Sequence, residues 1–250
     1  MNLYGLIGYP LSHSFSKQYF TEKFARAGIS NSAYRLFPLE SIDNLPLLLQ
    51  SLPELVGFNV TIPYKEQVLE YLDEIDPAAA QIGAVNTVKV NNGKLKGYNT
   101  DVYGFEQSLT DFLRKGKGFS YVKNALILGT GGASKAVAFI LNKSKINYRY
   151  VSRRSGRGYL TYDSIDTADL TDYQLIINTT PLGMSPRTDS CPDLPYRGLT
   201  DEHYLYDLVY NPEETLFLQK GKERGARTKN GLEMLYLQAE KAWEIWTGPE

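Results

Sequence analysis

The chain has 250 residues, 42% hydrophobic and 22% charged, which is apolar material enough for one large domain or two modest ones. Its 27 basic and 28 acidic side chains leave a net charge of -1, which excludes a global pull toward nucleic acid or an anionic membrane. A single cysteine, Cys191, excludes an internal disulfide framework and fits a reducing compartment, and two histidines give little basis for a His/Cys metal site.

The predicted elements alternate between strand and helix. A strand over 3–8 leads into a polar loop, then a helix over 15–27 with Phe15, Tyr19, Phe20 and Phe24 at helical spacing, stopped by Gly28. A strand follows over 34–39, then a helix over 45–52 with Pro46 in its first turn, and a strand over 56–62 closed by Pro63. Residues 64–72 read as helix, with Lys65 at its beginning. Strands over 84–90 and 94–99 flank Asn91-Asn92-Gly93, a hairpin turn, and residues 101–113 return to helix. No apolar run approaches the roughly 18 residues of a membrane span, and Pro10 interrupts the N-terminus before a signal-peptide core, so the expected location is the cytoplasm.

Residues 115–120 look like a linker, after which a new pattern begins. A short apolar strand, 124–128, runs into Gly129-Thr130-Gly131-Gly132-Ala133-Ser134, then a helix over 134–142 and a strand over 148–152. This is the βαβ unit of a parallel sheet. Further strands fall at 175–178 and 204–208, and helices at 215–224 and 233–246. In the glycine turn, Gly129 permits the tight bend and Gly131 lets backbone approach a pyrophosphate, while the helix N-terminus offers free N–H groups. Ser134 stands at the usual third glycine. The next strand ends in Ser152-Arg153-Arg154, with Arg157 beyond and no acid before Asp163. A site for NAD would place Asp or Glu there for the ribose 2′-hydroxyl. Guanidinium groups suit a 2′-phosphate and hence NADP, although the same residues also read as a basic surface loop.

The N-terminal half contains Ser12-His13-Ser14-Phe15-Ser16, Gly57-Phe58-Asn59-Val60-Thr61-Ile62-Pro63-Tyr64-Lys65, Gly83-Ala84-Val85-Asn86-Thr87 and Gly97-Tyr98-Asn99-Thr100-Asp101. The later half adds the glycine turn, Asn178-Thr179-Thr180-Pro181-Leu182-Gly183-Met184, Tyr206-Asp207-Leu208-Val209-Tyr210 and Gly231 to Ala239. In content and order these pieces resemble the shikimate dehydrogenase family over nearly the whole chain. The resemblance implies NADPH-dependent reversible reduction of 3-dehydroshikimate to shikimate. It implies Lys65 and Asp101 at the reacting carbon, and Ser14 and Ser16, with Tyr210, on the substrate carboxylate. Thr61, Asn86 and Gln238 are implied at the ring hydroxyls or their neighbours. NADP contacts are implied at Gly129, Thr130, Gly131, Gly132, Ala133, Ser152, Arg153, Arg154, Leu208 and Gly231. Two positions depart from the family. Glu233 stands where a small residue is common, and Arg154 where a threonine is. The run 155–158 is also short relative to the family's helix there.

Apart from the resemblance, Lys65 also reads as a solvated lysine and Asp101 as a first-turn acid complementing a helix dipole. Ser14 and Ser16 read equally as loop or N-cap residues, Thr61 as a β-branched strand residue, Asn86 as an edge-strand side chain and Gln238 as a solvent-facing one. Three alternatives of function stay open: a quinate or dual quinate/shikimate dehydrogenase, a folate-type dehydrogenase on a similar plan, and a non-enzymatic ligand sensor. The expected fold class is α/β in two domains: an N-terminal substrate domain, 1–101 plus 231–250, and a Rossmann-like NADP-binding domain with a parallel sheet, 102–230. The expected partner is a small-molecule substrate, with no nucleic acid, membrane or metal, on a monomer or homodimer.

Overall fold

The computed structural model describes residues 1–11, 14–154, 156 and 158–249, so Ser12, His13, Ser155 and Arg157 of the motifs above lie outside the described residues. The chain divides into two compact units, Met1–Thr100 with Ala239–Glu250, and Asp101–Gln238. The return to the first unit falls at Ala239, inside a continuous helix, whereas the sequence places it at 231; no break in helical periodicity marks the crossing.

The first unit runs β1 (Asn2–Gly8), α1 (Phe15–Arg26), β2 (Ser32–Pro38), α2 (Leu45–Ser51), β3 (Leu55–Val60), β4 (Glu74–Ile75), α3 (Pro77–Ile82), β5 (Thr87–Asn91) and β6 (Lys94–Tyr98). Among the described residues its sheet has the order β2-β1-β3-β5-β6-β4. β1 lies parallel to β2 and β3, and β5 antiparallel to β3 and β6. Alternation along β1 explains its burial on both faces. Leu3 and Ile7 enter an aliphatic core with Leu45, Phe58, Val60 and Val88. Tyr4 and Leu6 enter an aromatic core with Phe20, Phe24, Tyr34 and Trp246. There Phe20 stacks on Tyr34 with centroids 4.7 Å apart, and Tyr4 on Trp246 at 5.0 Å. Ser14 caps α1 by accepting from the Lys17 N–H at 3.3 Å, and Lys23 and Arg26 complement the dipole in its last turn. The hairpin turn has φ of 49° at Asn92 and 78° at Gly93, as a tight two-residue connection needs.

Three features of this unit differ from the sequence reading, one being the two-residue edge strand β4, which it does not contain. Residues 64–72 are not an α-helix but a turn followed by a 3-10 helix, Gln67–Tyr71. The Val68 N–H reaches the Tyr64 carbonyl at 2.9 Å, but the Lys65 carbonyl is taken by the Val85 N–H at 2.7 Å and the Leu69 N–H bonds to Glu66 instead, so the i to i−4 ladder stops after one bond. The helix α3 has no counterpart in the sequence reading, although Asp76 caps it, Pro77 opens it and Gly83 closes it at φ 68°.

The second unit takes up α4 (Thr100–Arg114) and continues through β7 (Asn124–Leu128), α5 (Gly132–Lys143), β8 (Asn147–Ser152), β9 (Tyr159–Thr161), β10 (Leu175–Asn178), β11 (Tyr204–Asp207), α6 (Leu216–Lys222), β12 (Arg227–Lys229) and α7 (Leu232–Thr247). All its strand pairs are parallel, in the order β12-β11-β10-β7-β8-β9. This is the doubly wound Rossmann order, with the chain reversing direction across the sheet between β7 and β10, where such folds bind their ligands. β7, β10 and β11 are buried on both faces, as helix-covered parallel strands must be. β9 and β12, three residues each, are edge strands that the sequence reading does not contain.

Gly57 on β3 tests the aromatic core. A Cβ there would stand 2.3 Å from Trp246 Cδ1. The indole cannot retreat cheaply, because its Nε1 donates to the Val88 carbonyl at 2.9 Å. Gly57→Ala is expected to cost about 1–3 kcal/mol of overpacking, read as a lower urea midpoint with unchanged slope by far-ultraviolet circular dichroism.

Candidate functional site

In the first unit the candidate substrate residues gather at the carboxyl ends of β1 and β3. Thr61 follows β3 directly, its N–H bonded to the Ile7 carbonyl at 2.9 Å, and its methyl occupies the space beside Gly8. Lys65, half-buried, stands in the turn beyond it. Asn86 is buried, and its side chain is fixed from both ends. Its Nδ2 donates to Thr100 Oγ1 at 3.0 Å, and its Oδ1 accepts from the Thr100 N–H at 2.7 Å and from Thr87 Oγ1 at 3.1 Å. Asn59 extends the cluster, donating to Thr87 Oγ1 at 3.0 Å and accepting from the Tyr34 hydroxyl at 2.8 Å. Burial pushes the Tyr34 phenol well above its ordinary range, opposed by a bond from Ser16. Tyr34 and Asn86, separated by 52 residues of sequence, are thus joined through Asn59 and Thr87. Ser14 serves as the N-cap of α1.

In the second unit, the glycine turn joins β7 to α5. Gly129 has φ +104°, and a Cβ there would meet Thr179 Oγ1 and Thr180 Cγ2, both at 2.9 Å, so the position requires glycine. Gly131 is the N-cap of α5 and supplies no side-chain cap, while a Cβ built on it meets nothing within 4 Å. The helix N-terminus therefore faces open space with the positive end of its dipole, which suits a pyrophosphate. Ser134, at the third glycine position, is buried and bonds its hydroxyl to the Gly131 carbonyl at 2.7 Å. Ser152 ends β8 and accepts the Arg154 N–H at 3.3 Å. Arg153 and Arg154 are exposed. These residues fit a 2′-phosphorylated dinucleotide: an open glycine turn for the pyrophosphate and guanidinium groups beyond the second strand for the extra phosphate.

Deeper in the second unit lies a network that the sequence reading assigned no role. Asp207 is fully buried at the end of β11. Its Oδ1 accepts from Asn178 Nδ2 at 2.9 Å and from the Val209 N–H at 3.0 Å, and its Oδ2 accepts from Thr215 Oγ1 at 2.6 Å. Asn178 Oδ1 in turn accepts from the Thr180 N–H and hydroxyl. Burial pushes the Asp207 carboxyl up to about 6 despite these donors. The segment it fixes brings Leu208 and Gly231 together: the Gly231 N–H bonds to the Val209 carbonyl at 3.1 Å, and a Cβ on Gly231 would lie 2.2 Å from the Leu208 carbonyl oxygen. Tyr210 follows, half-buried, its phenol raised by burial. Asp101, buried in the first turn of α4, and Gln238, buried on α7, belong to this unit as well. Among the described residues no group of three or more His, Cys, Asp or Glu is placed to hold a metal ion, and no helix is long and apolar enough to cross a membrane.

Residues 6–88 match the family model described as the shikimate dehydrogenase substrate binding domain. The chain is 40% identical over 265 residues to the NADP(+) shikimate dehydrogenase of Desulforamulus reducens, covering 98% of this chain and 89% of the relative. The chain belongs to the shikimate dehydrogenase family. A crystal structure of a shikimate dehydrogenase in complex with NADP+ superposes with a TM-score of 0.87 at 36% identity, covering 100% of this chain and 91% of the other. The shikimate 5-dehydrogenase of Thermus thermophilus, in complex with NADP(H) and shikimate, gives 0.85 at 31% identity, covering 100% and 94%.

The shikimate dehydrogenase fold expected from the sequence, an N-terminal α/β substrate domain and a Rossmann-like NADP domain, is the fold observed. Tyr34, Asn59, Thr87, Thr100, Asn178, Thr180, Asp207 and Thr215 are polar members that sequence reasoning left without roles. Leu175-Ile176-Ile177-Asn178 and Tyr204-Leu205-Tyr206-Asp207 did hold a signal, a lone polar residue ending each of two otherwise apolar strands.

The Asp207 carboxyl gives a pH test. Its folded value, about 6, lies above the ordinary 3.8. The stability it contributes is therefore full below about pH 4 and is lost as pH rises through 6, a loss of about 3 kcal/mol by pH 7. Asp207→Asn keeps an acceptor for Asn178 and Val209 and can donate to Thr215, but cannot ionise. Between pH 4 and pH 7 the unfolding free energy of the variant should gain on that of the unaltered protein by about 2–3 kcal/mol, measured by denaturant titration at each pH; a constant difference would refute the buried, raised carboxyl.

Proposed function

We propose that this chain catalyses the reversible reduction of 3-dehydroshikimate to shikimate with NADPH, in the cytoplasm. The observation that carries the reading is that a chain matching NADP(+) shikimate dehydrogenases over 98% of its length keeps both ionisable residues of the family motifs, Lys65 beyond β3 and Asp101 in the first turn of α4. NADPH supplies the hydride to the carbonyl carbon. Negative charge then builds on the carbonyl oxygen, and the Lys65 ammonium stabilises that charge and gives the oxygen its proton. The Asp101 carboxylate accepts a hydrogen bond from the substrate hydroxyl and holds it in register. Ser14, Ser16 and Tyr210 bind the substrate carboxylate, and Thr61, Asn86 and Gln238 the ring hydroxyls. A small, anionic, hydroxyl-rich substrate needs such donors and acceptors rather than an apolar pocket, and the fixed Asn86 amide has the preorganisation that a selective polar site requires.

The cofactor roles go to Gly129, Thr130, Gly131, Gly132 and Ala133 at the pyrophosphate, to Ser152, Arg153 and Arg154 at the 2′-phosphate, and to Leu208 and Gly231 at the nicotinamide. The test is steady-state absorbance of the reduced cofactor with shikimate and, separately, quinate. Shikimate should be preferred at least about tenfold in kcat/KM, the worth of one mispaired hydroxyl. Equal or better turnover of quinate moves the protein to the quinate reading, and absence of turnover with either sinks the dehydrogenase reading.

In the same assay NADP+ should exceed NAD+ by at least about tenfold in kcat/KM, roughly one charge-assisted contact. Arg154→Asp should weaken NADP+ and spare NAD+. Lys65→Met is expected to lower kcat by about 10²–10⁴ with a much smaller change in KM; a variant keeping more than half the normal kcat would make Lys65 a bystander.

A further inference from the structure

Glu233, the residue that stands where the family often has a small one, sits in a chain of side-chain bonds within the second unit. The Tyr206 hydroxyl on β11 donates to Ser108 Oγ on α4 at 2.8 Å, and Ser108 Oγ donates to Glu233 Oε2 on α7 at 3.0 Å. Lys229, at the end of β12, places its ammonium 2.5 Å from the same carboxylate oxygen, one helical turn away in sequence. Ser108 and Tyr206 have no exposed surface, and the Lys229 side chain is 17% exposed. The Glu233 side chain itself is 40% exposed. Lys229 and Ser108 together hold it below the ordinary carboxylate range against the desolvation that raises it.

The bond joins the two helices that carry Asp101 and Gln238. On α4, Asp101, Gly104 and Ser108 share one face at i, i+3 and i+7; on α7, Met234 and Gln238 share one at i, i+4. A Cβ on Gly104 would lie 2.5 Å from the Met234 carbonyl oxygen and 3.1 Å from the Gln238 N–H nitrogen, so the two backbones touch there. Ser108 meets Glu233 one turn further along α4 and earlier along α7, so the helices run antiparallel along this stripe. The contact at Gly104 fixes the distance between the two backbones. The Ser108–Glu233 bond adds the second, directional point.

We infer that Glu233 is a positioning residue: through Ser108 it locks α4 to α7 and thereby sets Asp101 relative to Gln238, with Lys229 neutralising the carboxylate. The inference rests on the dehydrogenase reading for the roles of Asp101 and Gln238, but not for the lock itself. It also gives the Glu233 departure a purpose that a small residue could not serve.

The test uses the full chain with Ser108→Ala, Glu233→Ala, the double variant and Glu233→Gln. Ser108→Ala and Glu233→Ala should each raise KM for shikimate about fivefold or more, and Ser108→Ala should leave KM for NADP+ within about twofold. The double variant should be no worse than Glu233→Ala alone, because both remove the same bond. Glu233→Gln keeps an acceptor for Ser108 while stranding the Lys229 charge. It should lower the unfolding midpoint yet leave KM for shikimate within about twofold, a split that a merely structural role would not give. Hydrogen exchange should quicken across residues 102–108 and 234–238 in both alanine variants and not in Glu233→Gln. Unchanged KM and exchange in the alanine variants overturns the inference, and so do losses that multiply in the double variant. If the unaltered protein fails to oxidise shikimate, the dehydrogenase reading falls, and the exchange pattern alone decides the lock.

Discussion

At the carboxyl end of the second unit's sheet, the Asn178 amide donates to the Asp207 carboxylate across two neighbouring parallel strands. Parallel strands buried on both faces end in backbone groups that must find partners before the chain can turn, and here two side chains supply them. From Asn178 the order passes to the Thr180 turn, which packs against Gly129. From Asp207 it passes to the Val209 N–H, to the cap of α6 at Thr215, and through the Val209 carbonyl to Gly231. The glycine turn, Leu208 and Gly231 are therefore held by one buried ion and its donors. Burial makes that ion costly when charged, and its three donors keep the cost within what the fold can bear.

The first unit solves a similar problem without a charge. Asn59 lies near the end of β3 and Asn86 precedes β5, and their amides, with Thr87 and Thr100, close a ring of neutral hydrogen bonds. A neutral ring carries less desolvation penalty than an ion, and it presents a fixed amide without fixing a charge beside an anionic substrate. The same rule, that buried polar groups be fully paired, thus yields a rigid uncharged cluster in one unit and a carboxylate hub in the other.

Much of this was legible in the sequence. The β7–glycine turn–α5 unit, the Asn91-Asn92-Gly93 hairpin and the apolar central strands follow from local rules that tertiary context did not override. The misses have physical causes. The segment after Pro63 has helical composition, but the Val85 N–H captures the Lys65 carbonyl, a non-local event no periodicity reveals. The helix α3 spans six residues, too few for a periodic signal, so its Asp-Pro opening and Gly83 close were its only marks. The edge strands β9 and β12 depend on neighbours for their pairing. The motif residues lie on short local segments, whereas the bonds linking Tyr34 to Asn86, and Asp207 to Gly231, cross between elements far apart in sequence.

The aromatic core of the first unit has a consequence for spectroscopy. The chain has two tryptophans, Trp243 and Trp246, and both lie in the C-terminal segment that returns to that unit, packed against Tyr4 and Phe20. The second unit has tyrosines and phenylalanines but no tryptophan. Indole emission therefore follows the melting of the first unit only, while signals from the backbone follow both. The separation between the two curves is a direct reading of whether the two units unfold as one cooperative body or in turn.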